Sequence, residues 1–141
     1  MAVTANQIVK RQGTVDCSSG PVAASTHLYQ GTIAFWERTS GAGEGYLTDD
    51  DDGGANDFAG IVAAEADNSS GAAGAINAEL YITGAFELQG TGFSQAIVGD
   101  LTYASDNFTI TASASSTTKI GAFVEYVSAT KMMVKIDVVQ T

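Results

Sequence analysis

The sequence predicts an all-β protein: a single compact antiparallel β-sandwich or β-tulip-like domain with an extended N-terminal arm. Between residues 78 and 139, apolar and polar residues alternate with the period of strands that bury one face. Gly, Asp, Asn and Ser separate these runs at the short intervals typical of tight turns. The 141 residues are 45% apolar, and no apolar run approaches the about 18 residues of a membrane-spanning helix. We therefore divide the chain into an arm at 1–12 and a β domain at 13–141.

The arm shows no sustained periodicity and carries two of the six basic residues, Lys10 and Arg11. Gln7, Ile8 and Val9 have the composition of a short strand within it. A frayed terminus is the alternative, because chain ends are disordered unless something holds them. The segment lacks the features of a secretory signal, so we expect the true amino terminus, with synthesis and residence in the cytoplasm unless a larger assembly carries the protein elsewhere.

The region after the arm contains two predicted strands and a large loop. A strand at 13–17 should end in a turn at 18–21, where the single proline, Pro21, excludes helix for its predecessor. A second strand is predicted at 31–37 from its β-branched and aromatic residues. The stretch 40–57 is predicted to be a Gly- and Asp-rich surface loop, with a flexible glycine hairpin at 40–45.

Four consecutive aspartates at 49–52 form the densest charge of the sequence. The EF-hand pattern fails in both registers that the following glycines allow, because its last position is then Ala59 or Gly60 instead of glutamate. Adjacent carboxylates repel one another, so we predict a solvated loop. Irregular cation binding is the alternative.

The remaining strands follow from alternation and turn residues. The pattern at 78–88 gives the clearest of them. We predict strands at 58–66, 78–88, 97–103, 108–110, 120–126 and 134–138, with a loop at 67–74 and turns at 89–92 and 104–107.

The sequence offers little catalytic chemistry. With one cysteine and one histidine, neither an intramolecular disulfide nor a His/Cys metal cluster is available. Cys17 and His27 form a nucleophile–base pair only formally, and we expect Cys17 to be a small buried hydrophobe. His27 and Tyr29 are predicted on a surface, as a contact between subunits. We predict no enzyme activity, no cofactor and no metal.

The net charge of −10 limits the partners. Such a field repels phosphate backbones and anionic lipids, so we expect neither nucleic acid nor a membrane as a partner. It also keeps an abundant protein soluble until a specific surface captures it.

The order of the later motifs resembles the head-decoration, or cement, proteins of tailed bacteriophages. In that family a G-x-F-x-L strand precedes a G-D-x-x-Y turn and strand, followed by an I-G-x-x strand and an apolar closing strand. The matching segments here are GAFEL at 84–88, VGDLTY at 98–103, KIGAFV at 119–124 and MVKIDV at 133–138, with FAGIVA at 58–63 similar to an upstream x-x-G-V-A strand. The resemblance covers residues 28 to 139, and the insertion at 40–54 departs from it.

The resemblance implies a protein of the virion, located on the outer capsid surface. It would bind the major capsid protein, often as a homotrimer at three-fold positions, and stabilise contacts between shell subunits. It also gives the arm a function, since a terminal arm of such proteins can add a strand to a shell protein. Gln7, Ile8, Val9, Lys10 and Arg11 are then the predicted capsid-binding residues.

Two other functions stay open from the sequence. A fibre-tip or glycan- or receptor-binding β module would use Tyr29, Trp36 and Tyr46 as stacking faces. A small hydrolase using carboxylates is the third. A fibre-tip or glycan- or receptor-binding module differs from a decoration protein in its ligand, so a glycan array distinguishes these two functions.

Overall fold

A computed structural model of the chain describes residues 2–39, 41 and 43–138. Over these residues the protein is all-β, as predicted, with antiparallel strands and two short 3-10 helices at Asp52–Gly54 and Gln95–Ile97. None of the described helices has the length and apolar character needed to cross a membrane. The strands are β1 (Arg11–Gln12), β2 (Cys17–Pro21), β3 (Thr26–Leu28), β4 (Ile33–Trp36), β5 (Leu47–Thr48), β6 (Asp57–Val62), β7 (Ala66–Asn68), β8 (Asn77–Tyr81), β9 (Ala85–Gln89), β10 (Leu101–Ala104), β11 (Ile110–Thr111), β12 (Thr118–Ser128) and β13 (Lys131–Ile136).

Three sheets form the body. A six-stranded sheet has the order β1-β9-β13-β12-β10-β11, a five-stranded sheet the order β2-β8-β6-β4-β5, and β3 and β7 form a two-stranded sheet. The five-stranded sheet lies in the middle and packs its two faces against the two other sheets. The six-stranded sheet is built from the arm and residues 84–138, and the other two sheets from residues 13–83.

Two apolar cores fill the spaces between the layers. The first joins Phe35 and Ile61 of the central sheet to Phe86, Phe123 and Val134 of the six-stranded sheet. The second joins the opposite face of the central sheet to β3 and β7, and its buried members are Val22, Leu28, Ala34, Leu47, Ala59, Val62, Ala66, Ala78 and Leu80. Burial on both faces explains why β6 is a continuous apolar run without alternation.

The predicted strand at 78–88 is wrong as one element. The chain leaves the central sheet after Tyr81 and enters the six-stranded sheet at Ala85. Gly84 lies in the connection between the two sheets and has a φ of +114°, which glycine adopts readily. Leu80 belongs to the second core and Phe86 to the first, so the alternation continues across the break although the buried environment changes.

The predicted turn at 18–21 is also wrong, because β2 extends from Cys17 to Pro21 as an edge strand beside β8. Pro21 is its last residue, a place where the missing N–H is tolerated. Gly20 lies against the Trp36 ring, where an added Cβ would come within 2.5 Å of Cη2. The Gly and Pro residues that suggested a turn are therefore explained by close packing at Gly20 and by the end of an edge strand at Pro21.

The stretch 40–57 is only partly a surface loop. It contains the buried strand β5, and both Asp51 and Asn56 are buried. Ser40 and Ala42 of the predicted glycine hairpin lie outside the described residues, as do positions 139–141 of the predicted domain.

Several strand limits also differ from the prediction. The predicted strand at 58–66 ends at Val62, and β7 occupies the start of the predicted loop at 67–74. The predicted strand at 97–103 begins only at Leu101, after a 3-10 helix. Phe108 precedes its predicted strand, which starts at Ile110.

Candidate functional site

The arm begins at a side-chain clamp. The Val3 N–H donates a hydrogen bond to Asn107 Oδ1, and Asn107 Nδ2 donates one to the Val3 carbonyl, each at 2.9 Å. Asn107 is 2% exposed, so its amide is fixed in place by the body. The clamp satisfies both backbone groups of Val3 and holds the start of the arm against the connection between β10 and β11.

A second anchor holds the middle of the arm. The Gln7 N–H donates to the Gln30 carbonyl at 2.6 Å, and the Gln30 N–H donates to Asn6 Oδ1 at 2.8 Å. Gly31 permits this approach, because a Cβ at its position would overlap the Gln7 carbonyl oxygen. Its φ of +80° also favours glycine.

The end of the arm is the edge strand of the six-stranded sheet. The Glu87 N–H donates to the Lys10 carbonyl at 2.7 Å, and Arg11 and Gln12 pair with Phe86 and Ala85 of β9. The Arg11 guanidinium lies 4.7 Å from the centroid of the Tyr81 ring, a cation–π contact. Val3, Gln7 and residues 10–12 of the arm are thus hydrogen-bonded to the body.

The five predicted capsid-binding residues run from the contact of Gln7 with Gln30 to the edge strand that begins at Arg11. The proposed strand at residues 7–9 is wrong, since regular pairing starts only at Arg11. Gln7 and Val9 are half-buried, and Val9 packs against the first core. Ile8 is fully exposed at 103%, and Lys10 and Arg11 are exposed. The arm therefore buries one side and presents Ile8 and Lys10 on the other.

His27 and Tyr29 also lie near the arm. Their rings stack with centroids 4.0 Å apart, and His27 Nε2 lies 2.6 Å from Glu65 Oε2. Glu65 Oε1 accepts a hydrogen bond from Asn6 Nδ2 at 3.0 Å. The Asn6 amide, and after it the His27 ring, lower the pKa of Glu65. His27 and Tyr29 are thus held in place by contacts within one chain. Their role as a contact between subunits stays a prediction.

The other sequence candidates, Cys17, Trp36 and Tyr46, lie outside the arm. Cys17 is exposed, so the expectation of a buried cysteine is wrong; it sits at the start of an edge strand whose neighbours do not cover it. Trp36 is half-buried against the second core, and Tyr46 contacts Gly74. Within the described ranges, no three His, Cys, Asp or Glu side chains are placed to hold a metal ion.

The acidic run has one buried member. Asp51 is 6% exposed, and its Oδ2 has no hydrogen-bond partner among the described residues. Burial, and after it the charge of Asp50, raises the pKa of Asp51. The prediction of a fully solvated loop is therefore wrong at Asp51, because the loop folds inward between Thr48 and Asn56.

This carboxylate should make stability depend on pH. A raised pKa means that the folded state binds the Asp51 proton more tightly than the unfolded chain does. The contribution of Asp51 to stability is therefore lost as the pH rises from the ordinary value of 3.8 through the raised pKa, and it is not regained at neutral pH. We expect Asp51→Asn to raise the free energy of unfolding at pH 7 by about 1 kcal/mol. Urea unfolding from about pH 3 to about pH 8 measures this difference.

Glu44→Gln is the matched control, since Glu44 is an exposed carboxylate of the same region. It should follow the wild-type curve at every pH. Parallel curves for Asp51→Asn and the wild type would contradict the assignment.

Acidic and basic side chains are distributed unequally between the layers. Residues 2–12 and 84–138 carry five basic and five acidic side chains, whereas residues 13–83 carry one basic and eleven acidic side chains. The formal charge of −10 thus belongs to the central and two-stranded sheets and their loops. The arm and the six-stranded sheet together are formally neutral.

Comparison with known proteins gives no relative. No family model, no curated protein and no solved structure matches the chain.

Proposed function

We propose that this protein is a bacteriophage head-decoration protein that binds the outer surface of the assembled capsid and stabilises contacts between major capsid protein subunits. One observation carries the proposal. The arm is anchored to the body, ends in the edge strand β1, and presents Ile8 and Lys10 away from the body. The outer edge of such a strand offers backbone groups for the addition of a strand from a partner.

The body suits this role. Two packed cores make it rigid, so the arm is presented in a fixed position and loses little conformational entropy on binding. Binding of this kind requires no catalytic group, cofactor or metal. The location that follows is the outer surface of the virion.

Assembly on the shell as a homotrimer is part of the proposal. Closed rotational symmetry is expected, because open head-to-tail contacts would produce filaments. His27 and Tyr29 are the proposed subunit contacts, with the arm nearby through the link from Asn6 to Glu65.

The test is co-sedimentation with empty heads assembled from the major capsid protein of the same virus. The wild type should bind saturably and stoichiometrically. Lys10→Glu with Arg11→Glu should weaken retention at least about tenfold, because two attractions become repulsions at an acidic shell surface. The single variants Ile8→Ala and Lys10→Glu measure separately the apolar and the charge contribution to retention on heads. Neither variant changes Arg11, so its contact with Tyr81 is kept.

Arg38→Glu is the control for charge reversal. Arg38 is exposed and paired with Asp57 at 2.8 Å, outside the arm. It should leave retention unchanged. Wild-type protein that stays in the supernatant with intact heads would refute the function, and full retention of the double variant would refute the role of the arm.

A further inference from the structure

The outer face of the six-stranded sheet contains a shallow depression of about 400 Å³. Leu101, Ala122 and Lys135 are cross-strand neighbours on β10, β12 and β13 and lie in it side by side. Lys119 and Val124 also line it. We call these five residues the lysine face.

The lysine face exposes apolar groups to water. Leu101 is 48% exposed and Val124 44% exposed, although both are large aliphatic side chains. Gly121 of β12 also lines the depression, and a Cβ at its position would overlap the Lys135 carbonyl oxygen. The floor of the depression is therefore backbone, and a partner can approach it closely.

Lys119 and Lys135 are not used in ion pairs within the described part of the chain. Lys131 lies 3.8 Å from Glu87, and Arg38 pairs with Asp57, but neither Lys119 nor Lys135 forms an ion pair with a described residue. Asp137 lines the same depression without pairing with either of them. In a chain of net charge −10, two unpaired cations beside exposed aliphatic groups are suited to carboxylates of another protein.

We propose that the lysine face docks onto an acidic protein surface of the shell, an inference that rests on the head-binding function proposed above. The arm, Lys10 and the lysine face all belong to the formally neutral layer. Docking through this layer brings the shell to the formally neutral part of the chain, whereas residues 13–83 carry the net charge of −10. The opposite orientation would bring that charge against an acidic partner, and like charges across an interface repel each other.

The experiment is co-sedimentation of Lys119→Glu with Lys135→Glu on the same empty heads, at low and high salt. We expect at least about a tenfold loss of apparent affinity, and a smaller dependence on salt than for the wild type. Both side chains are exposed, so the variant should keep the wild-type melting temperature. Arg38→Glu again serves as the control for charge.

The outcomes separate the two proposals. If the wild type itself is not retained, the head-binding function fails. If the wild type is retained and the double variant binds equally well, the function stands and the docking face is wrong. Sedimentation velocity of the free proteins and flotation with phosphatidylserine vesicles complete the test. A change of oligomeric state in the variant, or wild-type flotation that the variant loses, would also overturn this assignment.

Discussion

Replacing Gly121 with alanine is expected to lower the free energy of unfolding by about 3 kcal/mol, the upper end of the usual cost of over-packing. Gly121 pairs with Ile136 in the long hairpin of β12 and β13 and with Thr102 of β10. A Cβ at this position would overlap the Lys135 carbonyl oxygen and lie 2.9 Å from its carbonyl carbon. These are backbone atoms, so relief requires separating strands at the centre of the six-stranded sheet. Equilibrium denaturation in urea measures the loss.

Gly43→Ala is the matched control for this prediction. Gly43 has no left-handed φ, and the nearest atom to an added Cβ there is Glu37 Cγ at 3.7 Å. It should leave the midpoint of denaturation within error of the wild type. A Gly121→Ala protein as stable as Gly43→Ala would show that β12 and β13 do not approach as described.

Truncating Ile61 to alanine is expected to cost about 2–5 kcal/mol. Ile61 is 1% exposed on β6 and faces the first core, where Ile33 and Phe86 pack around the same space. The substitution removes buried apolar volume and leaves a cavity between two sheets that cannot close it. Thermal and urea unfolding both report the change.

The same substitution at Ile8 provides an unusually close control. Ile8 is 103% exposed, so Ile8→Ala removes no buried surface and should leave stability unchanged. It should instead reduce retention on heads. Equal stabilities of the Ile61 and Ile8 variants would contradict the layered packing.

Much of this architecture could be predicted from the sequence, because alternation and turn residues are local signals. They give the all-β class, the strand β4, most of β12 and the last three residues of β13. Alternation does not identify the core into which a side chain points, which is why 78–88 looks like one strand. At the break, Val15 Cγ1 lies 2.6 Å from where a Cβ of Gly84 would be, a contact that the local sequence does not reveal.

The arm illustrates a second limit. Composition and resemblance make Lys10, Arg11 and their neighbours candidates for capsid binding, but they do not reveal the contacts that hold the arm on the body. Asn107, Gln30 and Gly31 are far from the arm in sequence. Asn107 and Gln30 bind the arm by hydrogen bonds, and Gly31 lets the Gln7 carbonyl come close. The lysine face was also missed, because Leu101, Ala122 and Lys135 become neighbours only through strand pairing. The division of charge between residues 13–83 and the rest was the one available signal.

The most direct test of the account is a cryo-EM reconstruction of empty heads saturated with the protein. The account predicts ordered additional density at equivalent sites on the outer surface, in which the arm and the six-stranded sheet contact the major capsid protein and the acidic loops of residues 13–83 face solvent. Bare heads at saturating protein would contradict the function, and density seated on the shell through the two-stranded sheet would contradict the orientation.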